Sequence, residues 1–479
     1  MGILHPSIFY VNFKVFAKIL WLNMIKYPSL RRWVFCLILF PVMLIYWSLL
    51  IVGRLLDELL FFPYRWHEIE APVYIISNPR SGTTFLHRLF NLDKERFCTP
   101  LLYHTLFPSI FWIRLFDTIA LIDSRIGRPL HRILGWVERK AFKGWQEVHP
   151  MGFTMPEEDE NLFVSTMISP ALILACPFVK ELPELRFVDK MSVRTQNKLR
   201  AFYKNSLQRM HYAMDPTKTL LVKNVFNTGR LKWLIETFPE ATVIYPVRHP
   251  YKFVPSVVSM FTGPWSLHSP DIKDDSEECR DFAQLAIDYC AYMQRIRPMF
   301  PAHSFFVIDY NVIKENPLKV ILDLYDQMNL KMSSEVKAAL TEISKGNKSY
   351  VSKHHYSLAQ YGMEKRYVHE QLTEVFKEFE FGQNEECARY INDFHADTVR
   401  YNINDPKMVG ICLSIGKIEE VDTNKQTIKE GYTNEPLNPS NIKDSIRQLK
   451  KTNTYIKDEL LVDKYKNDYE EYLIQLFDY

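Results

Sequence analysis

The residues best suited to chemistry lie in one polar stretch, which reads NPRSGTTFLHRLF at residues 78–90. A short apolar run precedes it and an amphipathic run begins within it, so it marks a strand-to-helix junction. A loop there presents consecutive backbone N–H groups and the positive end of a helix dipole to an anion. Gly82 allows close approach of the backbone, and Arg80 adds a charged fork that suits phosphate or sulfate oxygens. The expected contacts of the anion are Arg80, Ser81, Gly82, Thr83, Thr84 and Phe85.

This loop differs from the usual loop for nucleoside triphosphates. That loop reads GxxxxGK followed by Ser or Thr, and its hydroxyl residue holds magnesium. Here Thr83 takes the place of the lysine, and the basic residue stands before the glycine. The pattern therefore disfavours a magnesium-dependent kinase or another nucleotide phosphotransferase, although these remain an alternative. It favours a transferred group of lower charge that needs no metal.

A second anion site is predicted in the segment VRHPYKFVPSVVSM. Arg248 ends an apolar run, and Ser256 follows eight positions later in the expected helix, so the two could hold a phosphate from two directions. Lys223 ends the preceding apolar run, twenty-five positions before Arg248. Its ammonium could neutralise the charge of a leaving phosphate.

These motifs resemble those of the sulfotransferases, in particular the broad branch found in bacteria and many microbial eukaryotes. The resemblance runs from about Val73 to Phe381 and is carried by PRSGTT, by the arginine and serine eight positions apart, and by the late segment HHYSLAQYGM. It implies that the chain transfers a sulfuryl group from 3′-phosphoadenosine 5′-phosphosulfate to an acceptor hydroxyl. The loop would hold the 5′-phosphosulfate, Arg248 and Ser256 the 3′-phosphate, and Lys223 the bridging region of the donor.

The general base is less clearly marked. In the cytosolic branch of the family a histidine follows the lysine by two positions, but here that position is Val225. His104 lies where related enzymes place a glutamate after the helix of the phosphate loop, and imidazole can accept the proton of the attacking hydroxyl. The acidic run at residues 157–160 offers Glu157 and Glu158 as alternatives, although acids are also common in the first turn of a helix.

Four apolar runs of strand length position these motifs, and segments of helical character follow them. The runs are Val73–Ser77, Thr219–Val222, Thr242–Val247 and Ser304–Ile308. Strands that alternate with helices predict an α/β fold, a P-loop-like parallel sheet with helices on both faces. The long aromatic-rich insertion between Phe97 and Met214 shows no clear strand, and we expect it to be helical and to form the acceptor-binding half.

A membrane anchor is predicted before this domain. Residues 33–52 form twenty uncharged positions, enough to cross the hydrocarbon layer as a helix. The preceding residues 1–32, partly amphipathic, carry five basic residues and no acid, so the positive-inside rule places them in the cytosol. The expected topology is a single-pass type II membrane protein with its catalytic domain in the Golgi lumen. The sequon at Asn347 is compatible with this topology.

Composition sets the remaining bounds. The 479 residues have a formal net charge of +3, which gives no reason to expect a nucleic-acid partner. The seven cysteines show no CxxC pair, so neither a zinc site nor a disulfide framework is indicated.

We expect a sulfotransferase domain at residues 70–385 and a polar helical extension at 386–479. A membrane-bound nucleotide-binding protein without catalysis is a further alternative. The acceptor could be a carbohydrate, a lipid or sterol, or a tyrosyl group, and the sequence predicts no oligomeric state.

Overall fold

The structure is a computed structural model. It describes residues 5–141, 151–301, 303–346, 356–382, 418–422 and 427–430. The chain divides into two units, Met1–Phe381 and Gly382–Tyr479. The second unit is described only as an antiparallel pair of strands, β6 (Ile418–Asp422) and β7 (Thr427–Glu430). The rest of the predicted extension lies outside the described residues.

A parallel sheet of five strands forms the centre of the first unit, as the sequence predicts. Its strands are β1 (Val73–Ile76), β2 (Phe97–Cys98), β3 (Thr219–Asn224), β4 (Thr242–Val247) and β5 (Phe305–Asp309). They lie in the order β2-β3-β1-β4-β5. The four predicted strands are present with shifts of one or two residues at their ends. The two-residue strand β2, at one edge of the sheet, was not predicted, because two residues are too few to show an alternating pattern.

Helices surround this sheet and precede it. The helices are α1 (Phe13–Trp21), α2 (Leu30–Leu60), α3 (Thr83–Phe90), α4 (Leu102–Leu106), α5 (Ile110–Arg125), α6 (Pro129–Ala141), α7 (Glu160–Ser165), α8 (Val193–Met214), α9 (Leu231–Thr237), α10 (Pro250–His268), α11 (Glu277–Ile296), α12 (Tyr310–Glu315), α13 (Pro317–Gln327), α14 (Ser334–Gly346), α15 (Lys365–Gln371) and α16 (Thr373–Glu378). Helix α2 contains the predicted span and extends beyond both its ends. By length and composition it could cross a membrane.

Both faces of the sheet are buried, as the continuous apolar runs of its strands require. Successive residues of β1 point to opposite faces, so Val73 and Ile75 pack with α3 and α13. Tyr74 and Ile76 pack into the larger core that contains α8, α10 and α11.

The sheet order brings the predicted motifs to one edge. Strand β1 lies between β3 and β4, and all three strands run in the same direction. The carboxyl ends of neighbouring parallel strands meet at one edge of a sheet, where ligands of open α/β sheets bind. The loop after β1, Lys223 in β3 and Arg248 after β4 therefore share this edge.

Candidate functional site

The loop after β1 turns sharply into α3. Gly82 is the N-cap of α3 in the left-handed conformation, with φ +85°. A Cβ at this position would collide with the ring of Tyr310 as well. Arg80 also has a positive φ, +68°, which is uncommon for a residue with a side chain. Arg80 thus holds a conformation that its residue type does not favour, as residues at functional sites often do.

The first turn of α3 directs its amides toward this loop. Thr83, Thr84 and Phe85 follow the N-cap directly, so their N–H groups have no partner within the helix. The Phe85 side chain packs against the core beneath, which leaves its amide as the group available to an anion. Ser81 and Thr83 are buried. The Oδ1 atom of Asn78 is buried and has no hydrogen-bond partner among the described residues.

The two predicted anion motifs are in direct contact. Arg80 Nε donates a hydrogen bond to Ser256 Oγ at 3.1 Å. Arg248 Nη1 donates to the carbonyl oxygen of Arg80 at 2.7 Å. The Arg248 guanidinium also lies over the Tyr310 ring, 5.1 Å from its centroid. The two motifs therefore form one basic surface at the end of the sheet.

Lys223 joins this surface from the neighbouring strand. Its side chain is 1% exposed, and its Nζ donates to Thr84 Oγ1 at 3.3 Å. The same Nζ lies 3.1 Å from a Glu158 oxygen and 4.0 Å from a Glu157 oxygen. A buried ammonium needs such partners, because its unpaired charge would be costly away from water. The structure thus brings Lys223 and both predicted carboxylates to the loop after β1.

The other two acids of this run face the protein interior. Asp159 accepts hydrogen bonds from Tyr203 Oη at 2.5 Å and from Asn224 Nδ2 at 2.6 Å. Burial, which is the largest effect, raises the pKa of Asp159 to about 7. Glu160 accepts two hydrogen bonds from the buried guanidinium of Arg230, at 2.6 and 2.7 Å. The run therefore divides: Glu157 and Glu158 face the site, and the next two acids fix the run to the core.

A small cavity adjoins the loop and includes a histidine that the sequence reasoning did not single out. It is lined by Thr84, His87, Arg88, Asn91, Met155, Pro156, Glu157 and Lys223. His87 Nε2 is buried and has no hydrogen-bond partner among the described residues. Burial, together with the nearby Lys223, lowers the pKa of His87 to about 3. The sequence could have indicated His87 by its spacing from Thr84, because residues three positions apart lie on the same face of a helix.

His104 has a different environment. Within the described part of the chain, its Nδ1 accepts a hydrogen bond from the Leu101 amide at 3.1 Å, and the cavity lining does not include it. Burial lowers the pKa of His104 to about 3, so its imidazole is a weak base. It remains near the site, because the Leu102 amide donates to the carbonyl of Met155, which lines the cavity. The predicted sequon at Asn347 lies outside the described residues.

Comparison with known proteins is consistent with this geometry. A model described as the sulfotransferase family matches residues 72–334, more than half of the chain. The chain is 24% identical over 224 residues to the omega-hydroxy-beta-dihydromenaquinone-9 sulfotransferase Stf3 of Mycobacterium bovis and to that of Mycobacterium tuberculosis. Each match covers 46% of this chain and 51% of the relative, so the chain spans about half the length of the curated relatives it matches.

Two solved structures share the fold. Sulfotransferase STF1 of Mycobacterium tuberculosis is 19% identical with a TM-score of 0.55, and the match covers 75% of this chain and 91% of that one. Sulfotransferase STF9 of Mycobacterium avium is 18% identical with a TM-score of 0.56, and the match covers 70% and 86% of the two chains.

Proposed function

Because the chain belongs to the sulfotransferase family, we propose that it transfers a sulfuryl group from 3′-phosphoadenosine 5′-phosphosulfate to an acceptor hydroxyl. The observation that carries this proposal is the contact between the two anion motifs, with Arg80 Nε 3.1 Å from Ser256 Oγ. One nucleotide with phosphate at both ends could reach both motifs. A nucleoside triphosphate would need only one of them, and the loop has Thr83 where the kinase-type loop has lysine.

The residues divide the binding of such a donor among them. The amides of the loop and of the first turn of α3 would hold the 5′-phosphosulfate, with Arg80 as a charged donor. Arg248 and Ser256 would hold the 3′-phosphate. Lys223 lies 3.3 Å from Thr84 Oγ1, so it could neutralise the charge that develops on the leaving phosphate. A bond would form between the acceptor oxygen and sulfur while the bond from sulfur to the bridging oxygen breaks, which releases adenosine 3′,5′-bisphosphate.

We propose Glu157 as the group that removes the proton of the acceptor hydroxyl. Its carboxylate lines the cavity beside Thr84 and is 4.0 Å from Lys223 Nζ, whereas Glu158 is more closely paired with that ammonium at 3.1 Å. His104, the first candidate from the sequence, has a pKa of about 3 and bonds to the Leu101 amide. The lining of the cavity that contains Glu157 does not include His104.

Matched variants distinguish these bases. Glu157→Gln keeps size and polarity but removes the basic group, and we expect kcat to fall by about 10²–10⁴-fold with the affinity for adenosine 3′,5′-bisphosphate unchanged. Glu158→Gln should change kcat less, and His104→Gln should leave it within about tenfold of the unmodified protein. If the loss occurs in His104→Gln and not in Glu157→Gln, the base is His104.

The donor itself is tested by direct binding. Adenosine 3′,5′-bisphosphate should bind the full chain more tightly than ATP does, and magnesium should not strengthen it. Arg80→Ala and Ser256→Ala should each weaken this binding. Preference for ATP with magnesium-dependent turnover would favour the phosphotransferase alternative. Binding of the bisphosphate with no transfer of labelled sulfate to pooled glycans, lipids or tyrosyl peptides would favour a non-catalytic nucleotide-binding protein.

We propose a lipid hydroxyl as the first acceptor class to test. The curated relatives are named for a hydroxylated menaquinone, an apolar acceptor with a terminal hydroxyl group. The long, largely exposed apolar helix α2 would keep this chain near such molecules. Labelled sulfate should appear in the lipid fraction, and label only in glycans or tyrosyl peptides would reject this class. Placement in the Golgi lumen as a type II protein stays a prediction of the sequence, and glycosidase sensitivity of Asn347 tests it.

A further inference from the structure

Helix α2 packs against the rest of the first unit near its start and along its second half. Its buried residues recur at helical spacing: Arg32, Cys36, Trp47, Leu50, Gly53, Arg54 and Asp57. Near the start of the helix, Arg32 Nε donates to Ser269 Oγ at 2.8 Å. Near its end, the Asp57 carboxylate accepts from Ser109 Oγ at 3.0 Å and from the Ile110 amide at 3.1 Å. Both ends of the helix are therefore attached to the same body.

The segment between these attachments is longer than the hydrocarbon layer is thick, and both its ends are attached to the same body. A helix that crosses a bilayer before its domain would be attached to that domain at one end only. Arg32 and Asp57 are separated by 25 residues, about 37 Å along the axis, whereas the hydrocarbon layer is about 30 Å thick. Between them, Trp47 Nε1 donates to the Ser165 carbonyl at 2.9 Å. If α2 crossed a membrane in this conformation, the body beside it would have to cross as well.

The segment before α2 lies on this same body. The Ser7 carbonyl accepts a hydrogen bond from Arg54 near the far end of α2, at 2.6 Å. The Asn12 amide donates to the Thr166 carbonyl at 2.8 Å, and Lys18 pairs with Glu184 at 3.0 Å. A type II topology would separate this segment from the catalytic domain by the width of the bilayer. The observed contacts instead place the N-terminal segment directly against the body that contains the catalytic domain.

The opposite face of α2 is apolar and exposed. Along its centre, exposed apolar residues recur at helical spacing away from the buried stripe: Val34, Ile38, Ile45, Val52, Leu55 and Leu59. Further exposed apolar residues, such as Leu37 and Phe40, widen this surface. Ile38 is 60% exposed, Ile45 62% and Leu59 77%. So long an apolar stripe is unusual on a protein surface in water and marks contact with an apolar partner.

The hairpin of α5 and α6 adds a second exposed surface of the same character. Ile126, Ile133 and Trp136 are 64%, 59% and 53% exposed. Residues 110–141 contain six Lys or Arg residues and three Asp or Glu residues. The three acids accept hydrogen bonds within the protein, for example Asp123 from the Leu130 amide at 2.8 Å. Apolar residues with an excess of exposed basic residues suit an anionic lipid leaflet.

We propose that the chain attaches to one leaflet of an anionic membrane, with α2 lying in the plane of the interface and the α5–α6 hairpin inserted beside it, and that it does not cross the bilayer. The buried stripe of α2 stays on the body, and the exposed stripe enters the boundary between headgroups and acyl chains. The N-terminal segment and the site at the sheet edge then lie on the same side of the membrane.

Protease protection tests the topology. The full chain, with an epitope tag at each end, is synthesised cell-free in the presence of sealed microsomal vesicles, which contain a protein translocon and anionic lipids. We expect it to float with the vesicles and to lose both tags to added protease. Protection of either tag while the other is cleaved would establish a spanning helix and overturn the proposal.

A pair of variants tests the second surface. Ile133→Glu combined with Trp136→Glu should reduce partition to these vesicles by about tenfold or more, because charge cannot enter the acyl boundary. Met299→Glu, at an apolar residue 62% exposed in the turn before β5, is the matched control and should leave partition unchanged. Circular dichroism and thermal unfolding verify that the variants fold. Equal partition of the hairpin variant and the unmodified chain would mean that the hairpin takes no part, and would overturn the proposal.

Discussion

Gly82→Ala is the substitution whose cost follows most directly from the structure. A residue other than glycine at φ +85° costs about 1–2 kcal/mol. The new methyl group would also overlap the Tyr310 ring, and such overpacking typically costs about 1–3 kcal/mol. The two effects have separate causes, so we expect the free energy of unfolding to fall by about 2–5 kcal/mol.

A second substitution separates the two effects. In Tyr310→Ala the ring is gone, so adding Gly82→Ala should cost only the backbone part, about 1–2 kcal/mol. Tyr310→Phe is the matched control, because it keeps the ring carbons that the methyl group meets and should give no relief. Urea unfolding of the single and double variants provides the free energies. A cost for Gly82→Ala below about 0.5 kcal/mol, or equal relief by Tyr310→Ala and Tyr310→Phe, would refute the reasoning.

Two further predictions concern buried titratable groups. His87 and His104, each with a pKa of about 3, are neutral in the folded protein but take up protons below pH 6.5 when unfolded, so stability should fall as pH decreases from about 6.5 toward 3. Between pH 7 and 5.5 each histidine should lower the free energy of unfolding by about 1.3 kcal/mol. His104→Phe should remove the contribution of His104 from the pH dependence of this free energy, measured by urea unfolding. An unchanged pH dependence would contradict the low pKa of His104. Glu160→Gln leaves the buried guanidinium of Arg230 without its carboxylate and should cost about 3–5 kcal/mol in the same measurement. Asp215→Asn, in a partly exposed pair with Lys218, should cost less than about 1 kcal/mol. Similar costs for these two variants would argue against a buried ion pair.

The sequence alone was enough to predict the parallel sheet and the place of the loop. A short apolar run indicates a buried strand from its own residues alone. The strands β1, β3, β4 and β5 were therefore predicted to within one or two residues at their ends. The role expected for Gly82, close approach of the backbone at a strand-to-helix junction, follows from the same local logic, because glycine has no side chain. The apolar composition of α2 is also a property of consecutive residues, and it predicts a helix long enough to span a membrane.

Only the tertiary structure decided which residues meet. The hydrogen bond from Arg80 to Ser256 joins positions 176 residues apart, a separation over which no local pattern carries information. The same holds for the acidic run, in which neighbouring residues differ in role because Glu158 faces Lys223 while Glu160 faces Arg230. Hydropathy gives the length of α2 but not its partners. Those partners lie far along the chain. They bury one stripe of α2 against the protein and leave the opposite apolar face exposed.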